Sequence, residues 1–207
     1  VHTDRRQKVP ESPESPDPQT LPQAGAAGAI FVTRDNHRHR SDIERHYRIA
    51  LRSARKRVVI ANAYFFPGYR FIREMRRAAR RGVDVRLMMT GVPDQKVPFF
   101  AAHAYYPQLL RAGVRVYQYT AGFMHAKTVT VDDEVAILGT CNWDIRSLIL
   151  HDEVVSIIHD RGIAVDHAGQ FQKDLADCSE VVADGLGSLS GAVRFRNSVY
   201  RLFSRLL

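Results

Sequence analysis

The sequence predicts an α/β fold, a mixed β-sheet flanked by helices on both faces. Three observations lead there. Short runs rich in β-branched residues alternate with stretches of helical period, glycines stand where the helices should stop, and no block repeats along the chain. The chain has 207 residues, 45% of them apolar and 25% charged. That supplies a core for one domain of ordinary size, about 150 residues, with appendages at its ends.

Residues 1–28 carry Pro10, Pro13, Pro16, Pro18 and Pro22 among Ser, Glu and Asp. They read as a disordered linker, with too little apolar surface to offset the entropy of ordering. The folded region is expected over 29–180. AIFVTR, from Ala29 to Arg34, is a β-rich run. Ser41-x-x-Glu44 has the spacing of a capping box and opens a helix through about Arg55. RVVIANA (57–63) is an apolar run suited to a buried strand, YRFIREMRRAARR (69–81) is helical until Gly82, and VDVRLMM (83–89) returns to strand. A helix spans 97–112, kinked at Pro107 and ended by Gly113, and VRVYQY (114–119) follows as a strand. HAKTVTVD and VAILG form two strands around a tight turn at Asp132-Asp133. EVVSIIHD (153–160) is a strand, and a helix lies near 161–176. Residues 181–207 form a basic tail. On a helical wheel Phe195, Val199, Leu202, Phe203 and Leu206 share one side and Arg194, Arg201 and Arg205 the other, which suits a membrane interface or docking on the parent domain.

The formal net charge is +8, and it is regional. Between Arg34 and Arg86 stand 16 Lys and Arg against five acids, a balance of +11. Such a concentration fits a polyanion, either nucleic acid or an anionic lipid surface; solvated helix faces give the same pattern. Cys141 and Cys178 lack the number and spacing of a disulfide framework, a zinc site or a redox pair, which fits a reducing, intracellular setting. No run of about 18 apolar residues is present to span a membrane, and the first residues lack the apolar core of a signal peptide. Val1 in first place, followed by the proline-rich stretch, suggests an excerpt of a longer chain. His37, His39 and His46 cluster without a Cys or ligand-spaced acids, so they read as solvated polar residues and no metal is expected.

One spacing carries chemistry. His125, Lys127 and Asp132 stand as H-x-K-x4-D, followed by Gly139, Thr140 and Asn142, with Asp144 and Ser147 beyond. On a strand, residues two apart share a face, so His125 and Lys127 can point into one pocket. An imidazole beside an ammonium suits a phosphate: the histidine titrates near neutrality and can act as nucleophile or as acid and base, while the lysine offers a point charge. Thr140 and Asn142 add neutral donors where charge builds in the transition state.

At these residues the sequence resembles the phospholipase D superfamily, whose signature H-x-K-x4-D-x6-G-[ST]-x-N is matched at His125, Lys127, Asp132, Gly139, Thr140 and Asn142. Upstream, Asn62-Ala63-Tyr64-Phe65-Phe66-Pro67 resembles an element of the bacterial cardiolipin synthase branch, and the likeness covers about residues 29–180. The resemblance implies a phospholipase D-like half-domain, using no metal or other cofactor for the phosphoryl step. It also implies a two-step exchange in which one motif histidine attacks phosphorus to form a phosphohistidine, while a histidine from a second motif protonates the departing alcohol. This chain has one such motif, so the partner histidine is expected from an N-terminal half of the parent chain or from a second copy. By position His125 takes the acid and base role. Asp132 is implied to be mainly structural, and Glu153 to orient the histidine by accepting from its other ring nitrogen. Tyr64 is a candidate substrate contact at the pocket rim; an aromatic at a strand end is as often core. Thr140 replaces the more common Ser and keeps the hydroxyl.

The expected function is phosphatidyl transfer of cardiolipin synthase type, from a phosphatidylglycerol-like anionic phospholipid to an alcohol, at the cytoplasmic face of the membrane and peripheral to it. The alternatives are a phosphodiesterase on nucleic acid acting as a homodimer, less favoured, and an inactive half-domain with a membrane-binding role.

Overall fold

RVVIAN, the apolar run at 57–62, occupies the middle of the sheet and is buried on both sides, as an unbroken apolar strand should be. The computed structural model that shows this describes residues 25–182 and Val199. The linker expected over 1–28 and the tail expected over 181–207 fall almost wholly outside those residues.

The element order is β1 (Gly28–Arg34), α1 (Asp42–Ser53), β2 (Arg57–Asn62), β3 (Phe65–Phe66), α2 (Tyr69–Arg80), β4 (Asp84–Thr90), α3 (Lys96–His103), α4 (Tyr106–Leu110), β5 (Arg115–Tyr119), β6 (Lys127–Val131), β7 (Val135–Gly139), β8 (Trp143–Asp144), β9 (Glu153–His159), α5 (Arg161–Asp174) and β10 (Cys178–Val181). Eight strands form one sheet ordered β1-β9-β7-β6-β2-β4-β5-β10. The β2, β4 and β5 pairings with one another are parallel and the others antiparallel. The mixed sheet follows from the connections: helices return the chain between β2, β4 and β5, while β6 and β7 are joined by a hairpin.

Helices cover both faces, as expected, and do so unequally. Val58 and Ile60 of β2 face the larger core, where Ile43, Tyr47 and Leu51 of α1, Phe71, Ile72 and Met75 of α2, and Leu109 of α4 pack. Val59 and Ala61 face the other way, against Ala168 and Phe171 of α5.

The structure departs from the sequence reading in several local places. The Ser41 side chain makes no capping bond. Asp35 organises the approach to α1 instead, its Oδ1 accepting from the amides of His37, Arg38 and His39 at 2.8, 2.7 and 3.0 Å. Those amides, His39 foremost, hold the Asp35 carboxyl down at about 2. The helix expected over 97–112 is two helices, and Pro107 sits in the first turn of α4, where its missing N–H costs nothing. The strand expected from His125 begins at Lys127. β10 lies beyond the elements the sequence predicts; it pairs along β5 at the sheet edge.

The basic region is also put to internal use. Glu74, 1% exposed, accepts from Arg52 at 2.9 Å and Arg73 at 3.3 Å, with Arg77 at 3.6 Å. Arg81 donates to the carbonyls of Leu51, Arg52 and Ala54. Arg52 and Arg81 thus join α1 to the α2 end of the chain, while Arg73 and Arg77 meet Glu74 within α2 itself.

Candidate active site

The motif begins where β6 lies antiparallel to β2, with Lys127 opposite Asn62. Lys127 is buried, and its Nζ donates to the carbonyl of His125 at 3.0 Å. Burial lowers the pKa of its ammonium, and the carboxylates of Glu153 and Asp144 work in the opposite direction. His125 precedes the strand rather than lying on it, and its side chain is exposed. The pairing with β2 runs on to Ala126, whose carbonyl accepts from the Ala63 amide at 3.0 Å, and the Lys127 side chain reaches back to hold the His125 carbonyl. Phe123 and Tyr64 border that imidazole, with ring centroids 5.5 and 6.3 Å away.

Asp132 lies at the opposite end of β6. With Asp133 it forms the β6–β7 turn, both at positive φ (54° and 59°), the arrangement that suits a tight hairpin. Its carboxylate accepts from the amides of Arg55, Lys56 and Arg57 at 2.8, 2.7 and 2.8 Å, and its own amide donates to the Arg57 carbonyl at 2.8 Å. Burial pushes its pKa up, yet the amides of Arg57, Lys56 and Arg55 outweigh this and leave it below the ordinary value. Asp132 is remote from the imidazole and fastens β2 to the hairpin.

The rest of the motif is set by backbone packing. Gly139 ends β7 so close to β9 that a Cβ there would stand 2.2 Å from the Val154 carbonyl oxygen and 2.7 Å from the Val155 Cα. The glycine lets the chain turn against β9, where the Thr140 amide donates to the same carbonyl at 2.9 Å. The Thr140 hydroxyl then donates to the Glu153 carboxylate. Glu153 is thus engaged by Thr140 rather than by the His125 ring, which departs from the orienting role the family resemblance implied. Asp152, next to it, is exposed.

Beyond Thr140 the chain lines a cleft of about 220 Å³, walled by Tyr64, Phe66, Asn142, Asp144, Ser147 and His151 among others. The Tyr64 hydroxyl donates to Asp94 at 2.5 Å, so its ring is held at the rim. The side-chain oxygen of Asn142 is buried with no hydrogen-bond partner among the described residues, an acceptor that a donor entering the cleft would satisfy. Burial raises the pKa of Asp144, whose Oδ1 accepts from the Ser147 amide at 2.8 Å.

Several supporting residues carry no clear signal in the sequence. Trp143 is fully buried, packed with Tyr47, Phe65 and Phe71, and its amide donates to Asn62 Oδ1 at 3.0 Å. It anchors the strand segment that carries Asn142 and Asp144. Arg34, 3% exposed at the end of β1, donates to the carbonyls of Ile149 and His151 and to Asn36 Oδ1. It fixes the loop after the motif. Only the position of Arg34 at the end of a strand hints at this, and in the sequence its charge counts with the basic region.

These groups suit phosphodiester chemistry. An exposed imidazole can carry a proton, a buried ammonium is bonded to the carbonyl of the same residue, and Tyr64 joins the imidazole to a cleft that holds Asn142, Asp144 and Ser147.

The model of the family "Cardiolipin synthase, PLD-like domain" matches residues 47–175. Cardiolipin synthase B of Escherichia coli K12 is 44% identical over 165 residues, which is 77% of this chain and 39% of that protein. The chain thus spans about two fifths of that relative. Among solved structures, Nuc, a phospholipase D family member from Salmonella typhimurium, superposes with a TM-score of 0.65 at 16% identity, covering 76% of this chain and all of Nuc. The phosphatidylserine synthase of Haemophilus influenzae gives 0.64 at 15% identity, covering 90% of this chain and 47% of that enzyme. These two likenesses show the fold. The family match runs from within α1 to the end of α5 and contains the motif, and on that ground the chain belongs to the cardiolipin synthase family of phospholipase D-like domains.

Proposed function

We propose that the chain is the catalytic half-domain of a phosphatidyltransferase of cardiolipin synthase type, with a phosphatidylglycerol-like donor and an alcohol acceptor. One observation carries the reading: an exposed His125, whose carbonyl accepts from buried Lys127, stands against Tyr64, and Tyr64 in turn lines a cleft with Asn142, Asp144 and Ser147. The similarity to cardiolipin synthase B supports the lipid substrate.

In the proposed cycle a histidine from a second motif attacks phosphorus through its ring nitrogen. The P–O bond to the leaving alcohol breaks, and protonated His125 gives its proton to that oxygen. Neutral His125 then takes the proton of the incoming alcohol as its oxygen attacks phosphorus and the P–N bond breaks. Lys127 opposes the charge on the phosphoryl oxygens, and Thr140 and Asn142 border the same region. Asp132 holds the strand that carries Lys127, and Glu153 fixes Thr140. The second histidine comes from an N-terminal half of the parent chain, consistent with the 39% coverage of the relative. The alternative source is the same histidine of a second copy of the chain, brought across a two-fold axis.

The assay is phosphatidyl transfer by the intact protein on vesicles containing phosphatidylglycerol, at the membrane surface where a peripheral enzyme would work. The wild type should form a product carrying two phosphatidyl groups, and His125→Ala should abolish it. Retained transfer in that variant would overturn the assignment.

A further inference from the structure

We propose that the loop tip Ile149-Leu150 is a bilayer-contact element that seats the mouth of the cleft on an anionic membrane; the inference rests on the lipid-directed reading above. The chain from Arg146 to Leu150 makes one wide helical turn, closed by the His151 amide donating to the Arg146 carbonyl at 2.8 Å. Ser147 and Leu148 of this turn are buried, while Ile149 and Leu150 are 56% and 54% exposed. Two adjacent aliphatic side chains held in water on the rim of a site call for a partner.

Their exposure is imposed by the backbone. The carbonyls of Ile149 and His151 accept from Arg34, and the carbonyl between them, that of Leu150, accepts from Asn36 Nδ2 at 2.8 Å. Three consecutive carbonyls are thus tied to the end of β1 and the loop after it, so the turn cannot simply fold its side chains inward. Phe123 is 44% exposed beside His125. Exposed apolar side chains thus stand both next to the motif histidine and on the turn whose Arg146 and Ser147 line the cleft.

The charge around them selects the occupant. The loop that ties down the turn carries exposed Arg38 and Arg40, and Arg40 Nε donates to the Asn36 carbonyl at 3.1 Å. Arg146, also exposed, opens the turn itself. Asp152 is the exposed acid close by in sequence, and Asp35 has its carboxylate engaged by three amides. Aliphatic tips among arginines match an anionic headgroup layer over acyl chains. Nucleic acid would engage the arginines and leave the aliphatic tips in water.

The test compares the intact wild-type protein with an Ile149→Ser, Leu150→Ser double variant. Neither side chain lines the cleft, so cleavage of the water-soluble diester bis(p-nitrophenyl) phosphate should stay within about twofold. Sedimentation with vesicles of phosphatidylglycerol and phosphatidylcholine should show the partition coefficient of the variant lowered at least about tenfold. In a second measurement, the fluorescence of a Leu150→Trp variant should shift to the blue on adding those vesicles and be quenched by brominated acyl chains. Wild-type sedimentation of the double variant would overturn the proposal. So would an indole emission from Leu150→Trp already blue-shifted without vesicles, which would mean that another protein surface covers the loop. Vesicle binding through the loop without lipid conversion would leave the docking intact and remove the transferase reading. Lipid conversion with undiminished binding by the double variant would do the reverse.

Discussion

The two ends of β6 carry residues of one sequence motif and do opposite work. At the Lys127 end the backbone stops being a strand, an imidazole is left in water, an ammonium is buried and an amide oxygen in the adjoining cleft has no partner among the described residues. At the Asp132 end three amides donate to the carboxylate, and a fourth bond runs from the residue's own N–H. The ends are roughly 16 Å apart at the usual rise of a strand. The first is unsatisfied and so able to bind; the second is satisfied and so able only to hold. Identity within a motif does not tell which end a residue serves.

The largest effect should come from substituting one residue at each end and comparing two readouts. His125→Asn should cut turnover by about 10²–10⁴-fold, the range expected when a positioned acid or base is removed. Its thermal midpoint should hardly move, since substitution of an exposed side chain contributes little to stability. Steady-state transfer kinetics and calorimetry on the same preparation check both. Asp132→Ala should show the reverse weighting. Losing a carboxylate that serves three amides should destabilise the fold by about 2–3 kcal/mol, allowing for partial exposure. Activity per folded molecule should fall far less than in His125→Asn. Urea denaturation with a folded-fraction correction decides it, and a stable but inactive Asp132→Ala would move that residue to the catalytic end.

The motif and most of the sheet are legible in the sequence because both are short-range signals. The apolar run of β2, the glycines after α2 and α4, and the alternation of strands and helices are written in neighbouring residues. What escapes is long-range. Arg34 looks like one more charge of a basic region and is a buried clamp on carbonyls more than about 110 positions away. Trp143 directly follows the motif and anchors its end in the core. The family resemblance puts Glu153 on the His125 ring, but the close approach at Gly139 brings the Thr140 hydroxyl to it first. The capping box at Ser41 is not formed, and the turn before α1 is built instead by Asp35, which gathers the amides of His37, Arg38 and His39.

A subtler substitution probes the reactive end alone. Thr140 donates to Glu153 through its hydroxyl and to the Val154 carbonyl through its amide, so side chain and backbone can be separated. Thr140→Val keeps the shape and the Thr140 amide bond, and leaves Glu153 without that donor and the Val154 amide without the hydroxyl it donates to at 3.0 Å. A loss of about tenfold in kcat is expected, in line with about 1–1.5 kcal/mol for one such bond, and Thr140→Ser should restore it. Equal losses in Val and Ser would mean that the methyl group, and not the hydroxyl, positions this corner.

The smallest expected effect is the acid behaviour of the holding end. The pKa of Asp132 lies below its ordinary value in the folded protein, because the amides of Arg57, Lys56 and Arg55 favour the charged carboxylate more than burial disfavours it. A group depressed on folding binds its proton more readily when unfolded. It therefore adds stability that is fully present above the unfolded value of about 3.9 and is lost as the pH falls toward and through the folded one. Wild type should lose stability relative to Asp132→Asn across that window, because the amide replacement does not titrate. Denaturation midpoints from neutral pH down to about pH 3 should show a gap between the two proteins that is constant to about pH 5 and narrows below it. A gap that stays constant to the lowest pH would mean that the three amides bind the neutral acid as well as the carboxylate, and that the charge of Asp132 contributes nothing to holding β2 against the hairpin.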